Sequence, residues 1–150
     1  MTPDDSGRLN ELVMQTARRL RHRWRQVLAP WELTPSAARA LRVICDGTTI
    51  RISDVAEHLR IAPRSATEVA DDLEARGLIS REQDPRDRRV VLLRATDEGH
   101  RVWAEVGAAH AADLRQVFGR LSAGDRTTLA RILEELRDPA DPAAPRTGRG

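Results

Sequence analysis

The chain has 150 residues, of which 40% are hydrophobic, so it can bury one core and we expect a single domain over residues 1–150. Its 25 basic residues, all arginine, nearly balance 23 acidic residues, and the net charge of +2 by itself gives no argument for an anionic partner. No apolar run approaches the roughly 18 residues of a membrane-spanning helix, and the acidic N-terminus is unlike a signal peptide, so we expect a cytoplasmic protein without a membrane partner.

Two helices are predicted at the start of the chain. Over residues 8–29, apolar side chains recur at three- and four-residue spacing, the stripe of a long amphipathic helix. The next segment reads LTPSAARALRVICDG. Thr34 is a candidate N-cap, Pro35 takes the first helical position and Gly47 is a stop, which predicts a second helix.

A helix-turn-helix is predicted from the segment ISDVAEHLRIAPRSATEVADDLEARGL. We expect Ser53 to cap a short helix, residues 60–62 to form a turn, and a longer helix to open at Pro63 and end at Gly77. A short helix, a three-residue turn and a longer helix have the spacing of this motif.

A charged hairpin is predicted to follow directly, in the segment SREQDPRDRRVVLLRAT. Ile79–Gln83 and Arg89–Ala95 have the aliphatic and β-branched content of strands, and Asp84 and Pro85 suit the first two positions of a turn. A solvated hairpin needs no arginine cluster at its tip, whereas a hairpin that reaches an anionic partner does. The alternative is a solvated turn whose charges neutralise one another.

Two more helices complete the prediction. Thr96 is expected to cap a long helix with acidic residues in its first turn. One face of that helix carries Trp103, Val106, His110, Leu114, Val117 and Leu121. Ser122, with Asp125 three residues on, is expected to open the last helix. Residues 138–150 show no apolar periodicity and are expected to form a disordered tail.

These segments resemble the MarR (multiple antibiotic resistance) family of winged-helix regulators. The likeness spans about residues 8–137, and it is carried by LTPSAARALRVI, by ISDVAEHLRIAPRSATEVADDLEARGLISR and above all by the wing pattern DPRDRRVVLLRATDEG. It implies a mainly α (α+β) fold: a winged helix-turn-helix at about 34–96 and dimerisation helices at about 8–29 and 97–137. It also implies a two-fold dimer on double-stranded DNA, with a recognition helix in the major groove and wing arginines in the minor groove.

Candidate DNA contacts follow from the faces of these elements. On the helix that begins at Pro63, five side chains are expected to point away from the packed face and could reach base edges: Arg64, Ser65, Thr67, Glu68 and Asp71. Alternatively, the hydroxyls of Ser65 and Thr67 only form hydrogen bonds within the first turn of the helix and contact no DNA. Glu68 and Asp72 could accept from a cytosine amino group or simply lower non-specific affinity, and both readings stay open.

The wing candidates are Arg86, Asp87, Arg88 and Arg89. Asp87 is expected to form a charge-assisted hydrogen bond with Arg89 and so to hold the shape of the hairpin. Arg86 and Arg88 are expected at the tip, and a narrow minor groove favours arginine because it concentrates negative potential. Arg51 and Arg81 are further candidates for phosphate contacts.

Apolar stripes at the two ends of the chain are expected to form the dimer interface. Their members are Leu9, Leu12, Val13, Leu129, Ile132, Leu133 and Leu136. Trp24, Trp31 and Trp103 could line a cleft for a small-molecule effector, and core packing explains them equally well.

We therefore expect a ligand-responsive repressor that binds a palindromic operator as a homodimer. The alternative is a winged helix used only to bind proteins. No enzyme motif is recognisable, and we expect no cofactor. Asp113 lies one helical turn from His110, so a metal site is conceivable there, but His22, His58 and His100 show no ligand spacing with His110 and we expect a core histidine and no metal. The single cysteine, Cys45, is expected to pack rather than to sense oxidants.

Overall fold

A computed structural model describes residues 3–137, and the predicted tail at 138–150 lies outside them. Two compact units divide the chain after Asp113, inside the fifth α-helix. The helices are α1 (Pro3–Leu28), a short 3₁₀ helix (Ala29–Trp31), α2 (Pro35–Asp46), α3 (Ile52–Leu59), α4 (Pro63–Ala75), α5 (Asp97–Phe118) and α6 (Ala123–Leu136), and the strands are β1 (Ile50–Arg51), β2 (Ile79–Gln83) and β3 (Val91–Ala95). The predicted winged helix-turn-helix, mainly α, is confirmed.

The core of the first unit joins every helix from α1 to α5 with the sheet. Its largest fully buried side chains are Leu28, Leu41, Ile44, Val55, Leu73, Leu93 and Val106. Buried residues recur at helical spacing, as in α4, where Ala66, Ala70 and Leu73 are buried, so the sequence marks one face of the helix for burial. This shared core fixes α4 and the hairpin on one body.

Side-chain caps set the starts of α2 and α6. The Thr34 hydroxyl accepts the amide of Ala37 at 3.1 Å, and the Ser122 hydroxyl accepts the amide of Asp125 at 3.1 Å, as predicted. The prediction for Ser53 is wrong: the N-cap of α3 is Arg51, two residues earlier, and it makes no side-chain cap bond. The reason is that β1 runs directly into α3, so the sheet fixes the start of the helix.

The sheet has a strand that the sequence did not predict. The strand order is β1-β3-β2, and the two-residue β1 pairs antiparallel with β3 through Ile50↔Leu93 and Arg51↔Leu92. The hairpin register runs from Ile79↔Ala95 to Gln83↔Val91. The third strand therefore begins at Val91, two residues later than predicted, because Arg89 and Val90 belong to the turn.

Thr96 ties the start of α5 to the end of α4. Its hydroxyl donates to the Gly77 carbonyl at 2.6 Å and accepts the amide of Gly99 at 3.0 Å. Gly99 allows this close approach, because a Cβ there would lie 2.0 Å from the Leu78 carbonyl oxygen. Leu121, expected on the α5 face, lies beyond the end of that helix.

Candidate nucleic-acid interface

Helix α4 buries a narrow apolar face and exposes a polar one. Ala66, Ala70 and Leu73 are buried where the helix packs on α2 and α3. Of the predicted base contacts, Arg64, Thr67, Glu68 and Asp71 are exposed and Ser65 is half-buried. The exposed set forms one surface that an approaching duplex could reach, since an α-helix fits the major groove.

Side chains on α4 pair along the helix at i, i+4 spacing. Arg64 Nε donates to Glu68 Oε1 at 3.2 Å, and the Thr67 hydroxyl donates to the Pro63 carbonyl at 3.1 Å. At the other end, Arg76 Nε donates to Asp72 Oδ1 at 3.0 Å. Asp72 is half-buried in this pair, so its acidity has a structural partner within the helix.

Arg81 connects the hairpin to α4. Its guanidinium lies 2.5 Å from an Asp71 carboxylate oxygen and 3.5 Å from one of Glu74. Its Nε is buried and has no hydrogen-bond partner among the described residues. A phosphate contact by Arg81 stays a prediction, and it would compete with the two carboxylates.

Two consecutive turns shape the tip of the hairpin. The Asp84 carbonyl accepts the amide of Asp87 at 3.2 Å, and the Asp87 carbonyl accepts the amide of Val90 at 2.9 Å. Asp84 Oδ1 also accepts the amide of Arg86 at 2.9 Å, which fixes the first turn. Asp84 and Pro85 thus occupy the first two positions of a turn, as predicted.

The predicted pairing of Asp87 with Arg89 is present. Asp87 Oδ1 accepts the backbone amide of Arg89 at 3.0 Å and its Nε at 3.2 Å. The side-chain hydrogen bond from Arg89 lowers the pKa of Asp87 below 3.8, and the positive charge of Arg51 contributes in the same direction. Asp87 is therefore a carboxylate at neutral pH that holds the second turn.

Two arginines at the tip stay unpaired. The side chains of Arg86 and Arg88 are exposed, and neither makes an ion pair or hydrogen bond within residues 3–137. Arg51 reaches the same region, where it lines a cavity of about 500 Å³ together with Asp54, Asp84 and Arg86. These guanidinium groups concentrate positive charge at the tip although the chain as a whole is nearly neutral.

The three tryptophans all pack against the core of the first unit. The rings of Trp24 and His110 lie 4.4 Å apart, and Trp31 Nε1 donates to Glu105 Oε2 at 3.2 Å. Core packing thus accounts for them, and a role in binding an effector stays a prediction. Next to this cluster, Asp113 accepts two hydrogen bonds from Arg23, a pair that sequence spacing did not predict.

Cys45 is partly buried in α2. Burial raises the pKa of its thiol to about 11, and the nearby charge of Asp46 acts in the same direction. Because the thiolate is the reactive form, this environment opposes oxidant sensing.

Large apolar side chains lie exposed near both ends of the described chain. Leu9, Leu12 and Val13 on α1 are at least half exposed, and so are Leu133 and Leu136 on α6. Ile132 is also exposed and Leu129 is half-buried. Met14, which the sequence reasoning omitted, extends the α1 patch. None of the helices between residues 3 and 137 is both long and apolar enough to cross a membrane.

A recognition-type helix, a three-stranded sheet and an arginine-tipped hairpin on one core define a winged helix-turn-helix protein. The MarR family model matches residues 33–91. The HTH-type transcriptional repressor MdtR of Bacillus subtilis is 30% identical over 109 residues, which cover 73% of this chain and 70% of MdtR. The transcriptional repressor MprA of Escherichia coli K12 is 32% identical over 93 residues, 62% of this chain and 53% of MprA. The chain belongs to the MarR family of transcriptional regulators.

Solved structures share the fold over most of the chain. YusO from Bacillus subtilis superposes with a TM-score of 0.78 at 26% identity and covers 91% of this chain and 97% of its own. A mutant MarR from E. coli complexed with operator DNA has a TM-score of 0.71 at 21% sequence identity, and the match covers 87% of this chain and 94% of that protein. CouR from Rhodococcus jostii bound to p-coumaroyl-CoA has a TM-score of 0.69 at 24% sequence identity, and the match covers 87% of this chain and 92% of CouR. At these last two identities the likeness concerns the fold alone.

Proposed function

We propose that this protein is a cytoplasmic, ligand-responsive repressor that binds a palindromic operator as a homodimer. The observation that supports the proposal is that the polar face of α4 and the arginine-tipped hairpin lie on one shared core. Helix α4 offers a polar face to base edges, and the hairpin tip offers Arg86 and Arg88, unpaired among the described residues, to phosphates or to a narrow minor groove. A module that only binds proteins would leave these two cations without a charged partner.

The dimer follows from the exposed apolar patches. A monomer in water would expose the leucines of α1 and α6, whereas a two-fold interface would bury the same surface on both copies. Two copies also suit DNA, since recognition helices about 34–36 Å apart meet successive major grooves on one face of the duplex. We therefore assign dimerisation to α1 and to the helices from residue 97 onward.

The effector would bind beside the tryptophans of the first unit and change the spacing of the two recognition helices. CouR, a protein of the same fold, has been crystallised with an aromatic acyl thioester, which supports an aromatic ligand class. A ligand can shift DNA affinity only if it binds the free and the DNA-bound dimers with different affinity. Thermal-shift screening with aromatic acids and phenols, repeated on Trp24→Phe to keep a ring against His110, tests this part.

The DNA-binding part is tested by selection from a random duplex library with the full chain, followed by footprinting. A palindromic site protected on both half-sites, with affinity that falls as salt rises, is the expected result. Failure to retain any duplex at low salt, by a folded dimer, would refute DNA binding and favour the protein-binding alternative. Reporter expression from the selected site, with and without the protein, then measures repression.

A further inference from the structure

Helix α4 opens with a charge that works against helix stability. Arg64 is its second residue, next to the positive end of the helix dipole, whereas α3, α5 and α6 each carry an acidic residue in the first turn. Its partner Glu68 lies four residues on, and an ion pair with the cation first is the less favourable order. A sequence selected for stability alone would reverse these charges.

The pair is also too exposed to support the fold. The side chains of Arg64 and Glu68 are 91% and 65% exposed, and ion pairs at such sites contribute little to stability. Local rules are most often broken at functional positions. The N-terminal part of a recognition helix is where base edges are contacted, so the position itself suggests the function.

The hydrogen bond orients the guanidinium for one kind of contact. Glu68 accepts from Nε, and within residues 3–137 the two terminal nitrogens, Nη1 and Nη2, make no hydrogen bond. These nitrogens form a fork of parallel N–H groups. In the major groove, guanine is the base that presents two adjacent acceptors, O6 and N7, and an arginine fork matches both.

We propose that Arg64 and Glu68 form one guanine-reading unit, in which Arg64 contacts guanine O6 and N7 and Glu68 is a positioning residue. The inference rests on the proposed function, because it requires α4 to enter the major groove. Glu68 neutralises Arg64, so the pair adds little general attraction to phosphates. Its contribution is base discrimination, and each operator half-site should contain a guanine opposite Arg64.

The same helix supplies a matched control. Arg76 also pairs through Nε with an acid four residues away, Asp72, but this pair lies at the C-terminal end of α4. Nη1 of Arg76 donates to the Trp31 carbonyl at 3.2 Å, so its terminal nitrogens are partly used within the fold. Arg76→Lys therefore changes the same chemistry at a place where no base contact is expected.

The experiment begins with binding sites selected by the wild-type dimer from random duplexes, and then replaces each conserved guanine by 7-deazaguanine, which lacks the N7 acceptor. At one position per half-site, this change should weaken wild-type binding about tenfold, because one of two hydrogen bonds is lost. Arg64→Lys keeps the charge and loses the fork. It should lose the preference for guanine at that position and no longer respond to 7-deazaguanine, with an unchanged salt dependence.

Substitutions of Glu68 distinguish its positioning role from the direct base contact made by Arg64. Glu68→Gln keeps an oxygen that can accept from Arg64 Nε, so guanine preference should persist. Glu68→Ala should reduce the preference without abolishing it, and Arg76→Lys should leave it intact. Circular dichroism and size-exclusion chromatography verify that each variant is a folded dimer.

Two results would overturn the inference. One is an Arg64→Lys dimer that selects the same guanine and keeps its sensitivity to 7-deazaguanine. The other is an Arg64→Ala dimer that weakens on all duplexes equally, which would make Arg64 a phosphate contact. Failure of the wild-type protein to enrich any sequence would overturn the proposed function as well, and is distinguishable because no half-site would then exist to test.

Discussion

Replacing Arg88 by alanine should flatten the salt dependence of DNA binding. Arg88 is exposed and makes no ion pair among the described residues, so its charge is available to a phosphate. Each neutralised phosphate contributes about −0.9 to the slope of log K against log salt, and a homodimer loses two, so the slope should become shallower by about 1.8. Between about 50 and 200 mM salt, this amounts to roughly 12-fold less loss of affinity than in the parent.

Fluorescence anisotropy on the selected operator and on a random duplex, at several salt concentrations, measures both slopes. Both should change equally, because a phosphate contact carries no sequence information. Arg94→Ala is the matched control, since Arg94 lies on the same hairpin but its guanidinium is held by Glu82 at 3.1 Å. A folded Arg88→Ala dimer with the affinity and slope of the parent would refute the reasoning and make the tip a solvated turn.

Further predictions concern assembly, packing and pH. Leu133→Glu combined with Leu136→Glu should give monomers or aggregates without operator binding, because each leucine contributes about 1.5–3 kcal/mol when buried; a well-folded wild-type monomer at micromolar concentration in sedimentation runs would contradict this. Gly99→Ala should lower the free energy of unfolding by about 1–3 kcal/mol, because the new Cβ clashes with the backbone of Leu78. Gly107→Ala, where a Cβ meets open space, should raise it by about 0.5–1 kcal/mol. Urea denaturation measures both, and equal effects would argue against the clash. A carboxyl group whose pKa is lowered in the folded state stabilises that state above its ordinary pKa, and the effect is lost as pH falls through the folded value, so the turn held by Asp87 should loosen only well into acid. NMR titration of Arg89→Gln should show the pKa of Asp87 rising towards 3.8, because the side-chain hydrogen bond is lost. An unchanged pKa would exclude this pairing as the cause of the shift.

Features that depend on neighbouring residues were predictable from the sequence. Thr34, Thr96 and Ser122 accept amides three residues ahead, so the cap and its partner lie in one short segment. Asp84 and Pro85 likewise determine their turn locally. The helical stripes of α1 to α5 are equally local, since a fixed period marks one face for burial.

Features that depend on tertiary partners were not predictable. The strand β1 has two residues, too few to show a period, and it is a strand only because β3 pairs with it. That pairing also moved the start of α3 away from Ser53. The bond from Arg76 to the Trp31 carbonyl joins residues 45 positions apart, and no local pattern indicates it.

In the candidate site, too, the sequence does not indicate which arginines pair with a tertiary partner. In sequence, Arg81 and Arg88 are equivalent cations around one hairpin, and both were candidates for DNA contact; only the pairing of Arg89 with Asp87 was predicted. In the structure, Asp71 and Glu74 hold Arg81 and Asp87 holds Arg89, whereas Arg88 makes no ion pair within residues 3–137. A chain with 25 basic and 23 acidic residues has almost no net field, so pairing decides where positive charge is left over. The arginines that such pairing leaves unneutralised are therefore the ones whose removal should flatten the salt dependence of DNA binding.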